Sequence, residues 1–121
     1  MKIQEHLIPI LTMIEPTKDW EKMTINDWVD HLVNGNKLTI KYLPMNGLSG
    51  FRILIVLSKF PEKANDDNID WEKLSGWDWA LLLRKQPQFS VYCENYWDKL
   101  NGHDWLFLLQ KQPQLAIYRK E

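Results

Sequence analysis

Between residues 75 and 86 the buried-type positions fall at helical intervals: Trp79, Leu82 and Leu83, with Gln86 one turn on, occupy i, i+3, i+4 and i+7. Pro87 then disfavours helix at Gln86 and can itself open a second helix. The pattern predicts a first helix of about eleven residues, a proline corner, and a second helix of about seven, running from Pro87 to about Cys93. Both are too short to hold helical structure alone in water, so they must pack on something. Period-two alternation, which a sheet would need, occurs only over residues 37–43, and by register this stretch falls on a second helix.

The same pattern returns at an offset of 26 residues. Residues 71–95 and 97–121 are identical at 13 of 25 positions, where unrelated chains would share about one or two. Run backwards, the offset finds Leu48-Ser49-Gly50 opposite Leu74-Ser75-Gly76, and Pro61 where Pro87 and Pro113 fall. A weaker copy opens at Trp20 and ends its first motif at Trp28, the spacing of Trp71–Trp79 and Trp97–Trp105. It lacks the corner proline, and its register requires one deleted residue. The expected architecture is therefore all-α: a single domain forming a short right-handed, solenoid-like stack of four helix-pair units. These span about 20–45, 46–70, 71–96 and 97–121, with residues 1–19 as an N-terminal cap.

Most repeated residues have a mechanical reading. Ser75 and Asp78 have the spacing of a capping box, and Leu74 with Trp79 that of a hydrophobic staple. Asn101/Asp104 with Leu100/Trp105, and Thr24/Asp27 with Met23/Trp28, repeat both. The second unit keeps Ser49, Leu48 and Ile53 but has Arg52 in place of the acid. This spacing explains Asp27, Asp78 and Asp104 without making them metal ligands or acid–base groups. Trp20, Trp71 and Trp97 are expected to wedge between adjacent units; the sharper alternative is a stacking platform for single-stranded nucleic acid. Gln86 and Gln112 flank the prolines and are read as partners for corner backbone groups or as a ladder between units, with a ligand-binding row as the alternative. Phe60 breaks that row.

Composition narrows the function classes. Lys plus Arg number 15 and Asp plus Glu 16, so bulk electrostatic binding to duplex nucleic acid is disfavoured. Seven Trp against four Phe marks a repeated packing role or a binding surface. The single cysteine, Cys93, rules out an internal disulfide and a cysteine-based zinc site. His6, His31 and His103 sit at different phases of the repeat, and no phosphate-binding glycine loop, nucleophile elbow or zinc signature occurs. The reading is a chain that is not an enzyme and takes no cofactor or metal. No segment reaches bilayer length, and Glu5, His6 and Pro9 interrupt the N-terminal apolar stretch, so a cytoplasmic protein is expected.

The last two units resemble a tandem motif of uncharacterised bacterial proteins, many gut-associated: Trp-x-x-Leu-x-Gly-x-Asp-Trp-x-x-Leu-Leu-x-x-Gln-Pro-Gln-Phe. Trp71, Leu74, Gly76, Asp78, Trp79, Leu82, Leu83, Gln86, Pro87, Gln88 and Phe89 fit it, and residues 97–115 fit except that Leu115 replaces the Phe. The resemblance implies a repeat scaffold and carries no activity.

Subtracting cap, staple and core positions leaves a ridge on the first helices whose residues vary while the framework stays. It reads Phe51, Ile55, Ser58 in the second unit, Trp77, Leu81, Arg84 in the third, and His103, Phe107, Gln110 in the fourth, with Lys85 and Lys111 alongside. In the first unit it is Asn26, Asp30, Val33. Variation on a constant frame is how repeat proteins customise a binding surface. An aromatic patch rimmed by basic residues suits a protein partner, and the competing reading is that the ridge packs inside the protein. The expected function is a non-enzymatic protein–protein interaction module. One alternative is a small phage-type inhibitor of a bacterial defence complex. Another is a single-stranded nucleic-acid binder using exposed Trp and a stripe of Arg84, Lys85, Lys111, Arg119 and Lys120. At the end of the array, Leu115, Ile117 and Tyr118 are expected to form an oligomer interface, giving a homodimer through the C-terminal unit or a contact with the partner.

Overall fold

The computed structural model describes residues 2–66 and 68–119 and is all-helical, with no strand among them. The α-helices are α1 (Ile8–Ile14), α2 (Ile25–Val33), α3 (Gly50–Lys59), α4 (Gly76–Lys85) and α5 (Gly102–Leu109). Helices α2 to α5 are the first helices of the four units, and each packs on the next in chain order.

Each of these helices starts where the cap chemistry places it. In α2, α4 and α5 the N-cap side chain (Thr24, Ser75, Asn101) accepts from the backbone N–H of Asp27, Asp78 or Asp104, and that Asp accepts from the N-cap N–H in return. Ser49 caps α3 from one side only, because Arg52 cannot return the bond; Arg52 instead pairs with Asp30 of the first unit. Thr24 also holds the Asp27 carboxyl below the ordinary carboxylate range, first through its backbone N–H and then its side chain. Asp104 is buried against the third unit, where its neighbour is Gly76. Asp104→Asn is expected to cost up to about 1 kcal/mol in thermal or urea denaturation.

The three proline corners share one backbone conformation at the residue before the proline. Phe60, Gln86 and Gln112, each preceding a proline, have φ/ψ of −132/73°, −136/73° and −127/64°. In the first unit Gly35, at φ +131°, does the work of the missing proline and stops α2. The second helices are 3-10 rather than α: Pro61–Asn65, Pro87–Cys93 and Pro113–Tyr118, with Ile40–Tyr42 in the first unit. A 3-10 helix aligns side chains at i and i+3. Phe89 and Tyr92 occupy that spacing, with ring centroids 6.0 Å apart.

The leading tryptophans stack within their own unit, and Trp97 also borders Ser90, Val91 and Glu94 of the unit before it. In the third unit Tyr92, Trp71, Trp79 and Tyr96 form a run of near-parallel rings, with successive centroids 4.7, 5.5 and 5.7 Å apart. Trp71 thus ties the second half of the unit, through Tyr92, to the first helix, through Trp79. Tyr118, Trp97 and Trp105 repeat the arrangement at 4.6 and 5.5 Å. In the first unit Trp20 meets Trp28 edge-on, and the Trp28 indole N–H donates to the buried Thr39 hydroxyl at 2.9 Å.

Adjacent units are joined by two devices. Gln86 Nε2 donates to the Leu57 and Ser58 carbonyls at the end of α3, and Gln112 Nε2 to the Arg84 carbonyl at the end of α4. These are corner-to-helix-end bonds, not a Gln–Gln ladder, and Phe60 at the same phase is simply buried. The second device is glycine. A Cβ on Gly50 would fall 2.1 Å from the Lys73 carbonyl oxygen, and one on Gly76 the same distance from that of Lys99. Only a residue without Cβ lets neighbouring helix starts approach that closely.

Residues 2–15 lie against the first unit: Lys2 bridges to Thr24, Leu11 is fully buried, the Trp20 indole donates to the Glu15 carbonyl, and Glu15 pairs with His31 at 2.9 Å.

Candidate functional site

The ridge lies on the surface. Phe51 is 60% and Trp77 39% exposed; Lys85, His103 and Lys111 are exposed, while Ile55, Leu81, Arg84 and Phe107 are half-buried. The ridges of successive helices meet side by side and enclose two adjoining depressions. The first, of about 310 Å³, is lined by Val33, Leu54, Ile55, Ser58, Lys59, Leu81 and Lys85. The second, of about 340 Å³, is lined by Leu81, Arg84, Lys85, Phe107 and Lys111. Leu81 and Lys85 line both, so the two lie side by side as one grooved, largely apolar surface with contributions from α2 to α5. Lys59, Lys85 and Lys111, spaced 26 residues apart, stand along it. Lys59 is the member that the ridge reading missed, although the repeat offset alone locates it.

Beside the groove, Trp77 stacks on His103 at 5.7 Å and meets Phe107 at 4.7 Å, and the Arg84 guanidinium sits over the Phe107 ring at 3.9 Å. That contact is a cation–π interaction, which fixes the guanidinium at the aromatic surface. Phe51 stands apart and lines neither depression.

The expected oligomer residues divide. Leu115 is buried in its own unit and offers no surface. Tyr118 is stacked on Trp97, and with Ile117 it lines a lateral depression shared with Ser90, Val91, Glu94 and Trp97. Val91, at the phase of Ile117 but one unit earlier, is itself 71% exposed. That phase therefore faces solvent in the third unit as well as the fourth and does not by itself mark the end of the row.

The tryptophans provide no ready stacking platform. Trp20, Trp28, Trp79, Trp97 and Trp105 are buried and Trp71 is half-buried between Tyr92 and Trp79, which leaves Trp77 as the exposed ring. Of the basic stripe, Arg84, Lys85 and Lys111 come together in the groove, Arg119 is not among its lining residues, and Lys120 lies outside the described residues. Cys93 is fully buried, and loss of solvation, with Asp98 adding, pushes its thiol up to about 12. A thiol held protonated is a poor nucleophile. Among the described residues no group of three or more His, Cys, Asp or Glu is placed to hold a metal ion, and no helix is long and apolar enough to cross a membrane.

No family model matches the chain, and no curated protein or solved structure is similar to it.

Proposed function

We propose that this chain is a non-enzymatic protein-interaction module whose binding surface is the groove across α2 to α5. The observation that carries the reading is the shape and charge of that groove: an apolar floor of Ile55, Leu81 and Phe107, bordered by a lysine from each of three units. Apolar anchors would supply most of the affinity, and the lysines would favour acidic residues flanking them. A short amphipathic segment of a partner, with apolar side chains on one face and Asp or Glu beside them, meets both demands. A bacterial or phage setting, including a defence-complex inhibitor, fits the same surface as one source of such a partner.

The test compares affinity capture by the wild-type chain, by a groove variant at two exposed lysines (Lys59→Glu with Lys85→Glu) and by a control (Lys22→Glu) on an exposed lysine that lines neither depression. The reading expects a protein retained by wild type and control and lost by the groove variant, at equal melting temperature for all three. Equal capture by all three overturns it.

A further inference from the structure

We propose that Asn46 is a site of spontaneous deamidation, at which this chain converts with age to a form with isoaspartate in its backbone. Three of the five glycines follow an asparagine: Asn34-Gly35, Asn46-Gly47 and Asn101-Gly102. With no Cβ on the following residue, its amide nitrogen can reach the asparagine side chain. That nitrogen gives up its proton to water and bonds to Cγ. The Cγ–Nδ2 bond breaks and ammonia leaves, closing a five-membered succinimide ring. Water then opens the ring at either carbonyl. Attack on the side-chain carbonyl yields aspartate; attack on the main-chain carbonyl yields isoaspartate, with the chain rerouted through Cβ and Cγ.

The fold separates the three pairs. Asn101 is the N-cap of α5, and its Oδ1 accepts from the Asp104 N–H at 2.9 Å, so ring closure there must break the cap. At Asn34 the nucleophile is engaged: the Gly35 N–H donates to the Leu32 carbonyl at 3.2 Å, where α2 stops. Asn46 and Gly47 are both exposed, in a turn closed by the Leu48 N–H on the Met45 carbonyl. Among the described residues, neither the Asn46 side chain nor the Gly47 N–H has a hydrogen-bond partner. The reactive pair is thus free where the other two are held. Its position also gives the modification an effect. Met45 and Leu48, on either side, are buried, and Leu48 is the staple residue ahead of Ser49, the cap of α3. An extra main-chain carbon between these two anchors displaces one of them, and the start of α3 loosens against the first unit.

Peptide mapping by mass spectrometry of the folded chain, incubated in mildly alkaline buffer, tests the site. Conversion is expected first at Asn46, with Asn34 and Asn101 slower by about fivefold or more, the rate equivalent of one hydrogen bond or one cap. In chain held unfolded by guanidinium chloride the three should convert at similar rates, because only the fold distinguishes them. The isoaspartate form, isolated by chromatography, should melt below the unmodified protein. Asn46→Asp, which carries the new charge on a normal backbone, should not. Conversion at Asn34 or Asn101 that matches or outpaces Asn46, the same spread of rates in the unfolded chain, or an isoaspartate form as stable as Asn46→Asp overturns the proposal.

Discussion

Trp79→Ala is expected to destabilise the protein by about 3–5 kcal/mol, the range for truncating a large buried aromatic. Trp79 is fully buried and sits inside the ring run between Trp71 and Tyr96. Its removal opens a hole at the seat of the α4 staple and unseats Trp71, through which Tyr92 ties the second half of the unit to the first. Trp105→Ala should fall in the same range, because Trp97 stacks on it in the same way. Trp77→Ala should cost far less: its ring is partly in water, against the exposed His103 and the half-buried Phe107. One further contrast separates packing from polarity. The Trp79 indole nitrogen is buried without a protein acceptor, and such a donor costs about 1–3 kcal/mol. Trp79→Phe keeps an aromatic face and removes that donor, so it should recover much of the loss. Chemical denaturation of the four variants checks the series, and equal losses for Trp77→Ala and Trp79→Ala would contradict the burial pattern.

Gly76→Ala should destabilise by about 1–3 kcal/mol or more, although alanine is the better helix former. The added methyl would fall 2.1 Å from the Lys99 carbonyl oxygen and 2.7 Å from the Asp104 carboxylate. The first is backbone and the second is fixed in a capping box, so neither can swing aside. The third and fourth units must separate, which also strains the Gln112–Arg84 bond between them. Gly102→Ala is the matched control in open space, and should be neutral or slightly stabilising. Measured side by side, the pair reports the joint itself, since helix propensity acts on both alike. Equal effects would mean that the units are not in close contact at Gly76.

The parts of the fold that were legible in the sequence are those set by short-range chemistry. A cap residue three positions before an acid, with a staple around both, specifies a helix start almost by itself, and Thr24/Asp27, Ser75/Asp78 and Asn101/Asp104 all form the boxes their spacing implies. The 3-10 character of Pro87–Cys93 was not legible, because a proline start and a short apolar run suit either helix type. The role of Trp71 depended on Tyr92, and the equal separation of Trp97 and Tyr118 was a usable sign of that pairing. Leu115, Ile117 and Tyr118 were assigned to the array end on the assumption that Phe89, Val91 and Tyr92 are covered within it. Val91 shows instead that part of this phase faces sideways, and a periodic pattern cannot distinguish a lateral face from a terminal one. Variation on a constant frame picked out the exposed Phe51, Trp77 and His103, but also Ile55, Leu81 and Phe107, which are half-buried and pack against the core. The groove was not legible, because it forms only where two ridges adjoin.

Cys93 gives this architecture an internal clock. With its sulfur sealed in the third unit and its proton held to about pH 12, a thiol-directed reagent reaches it only during openings, and the labelling rate counts them. Linear arrays can open piecemeal from an end or all at once. Cys93 lies one unit in from α5, behind the Gln112 latch, so its labelling rate measures how far a fraying event travels before the next joint arrests it.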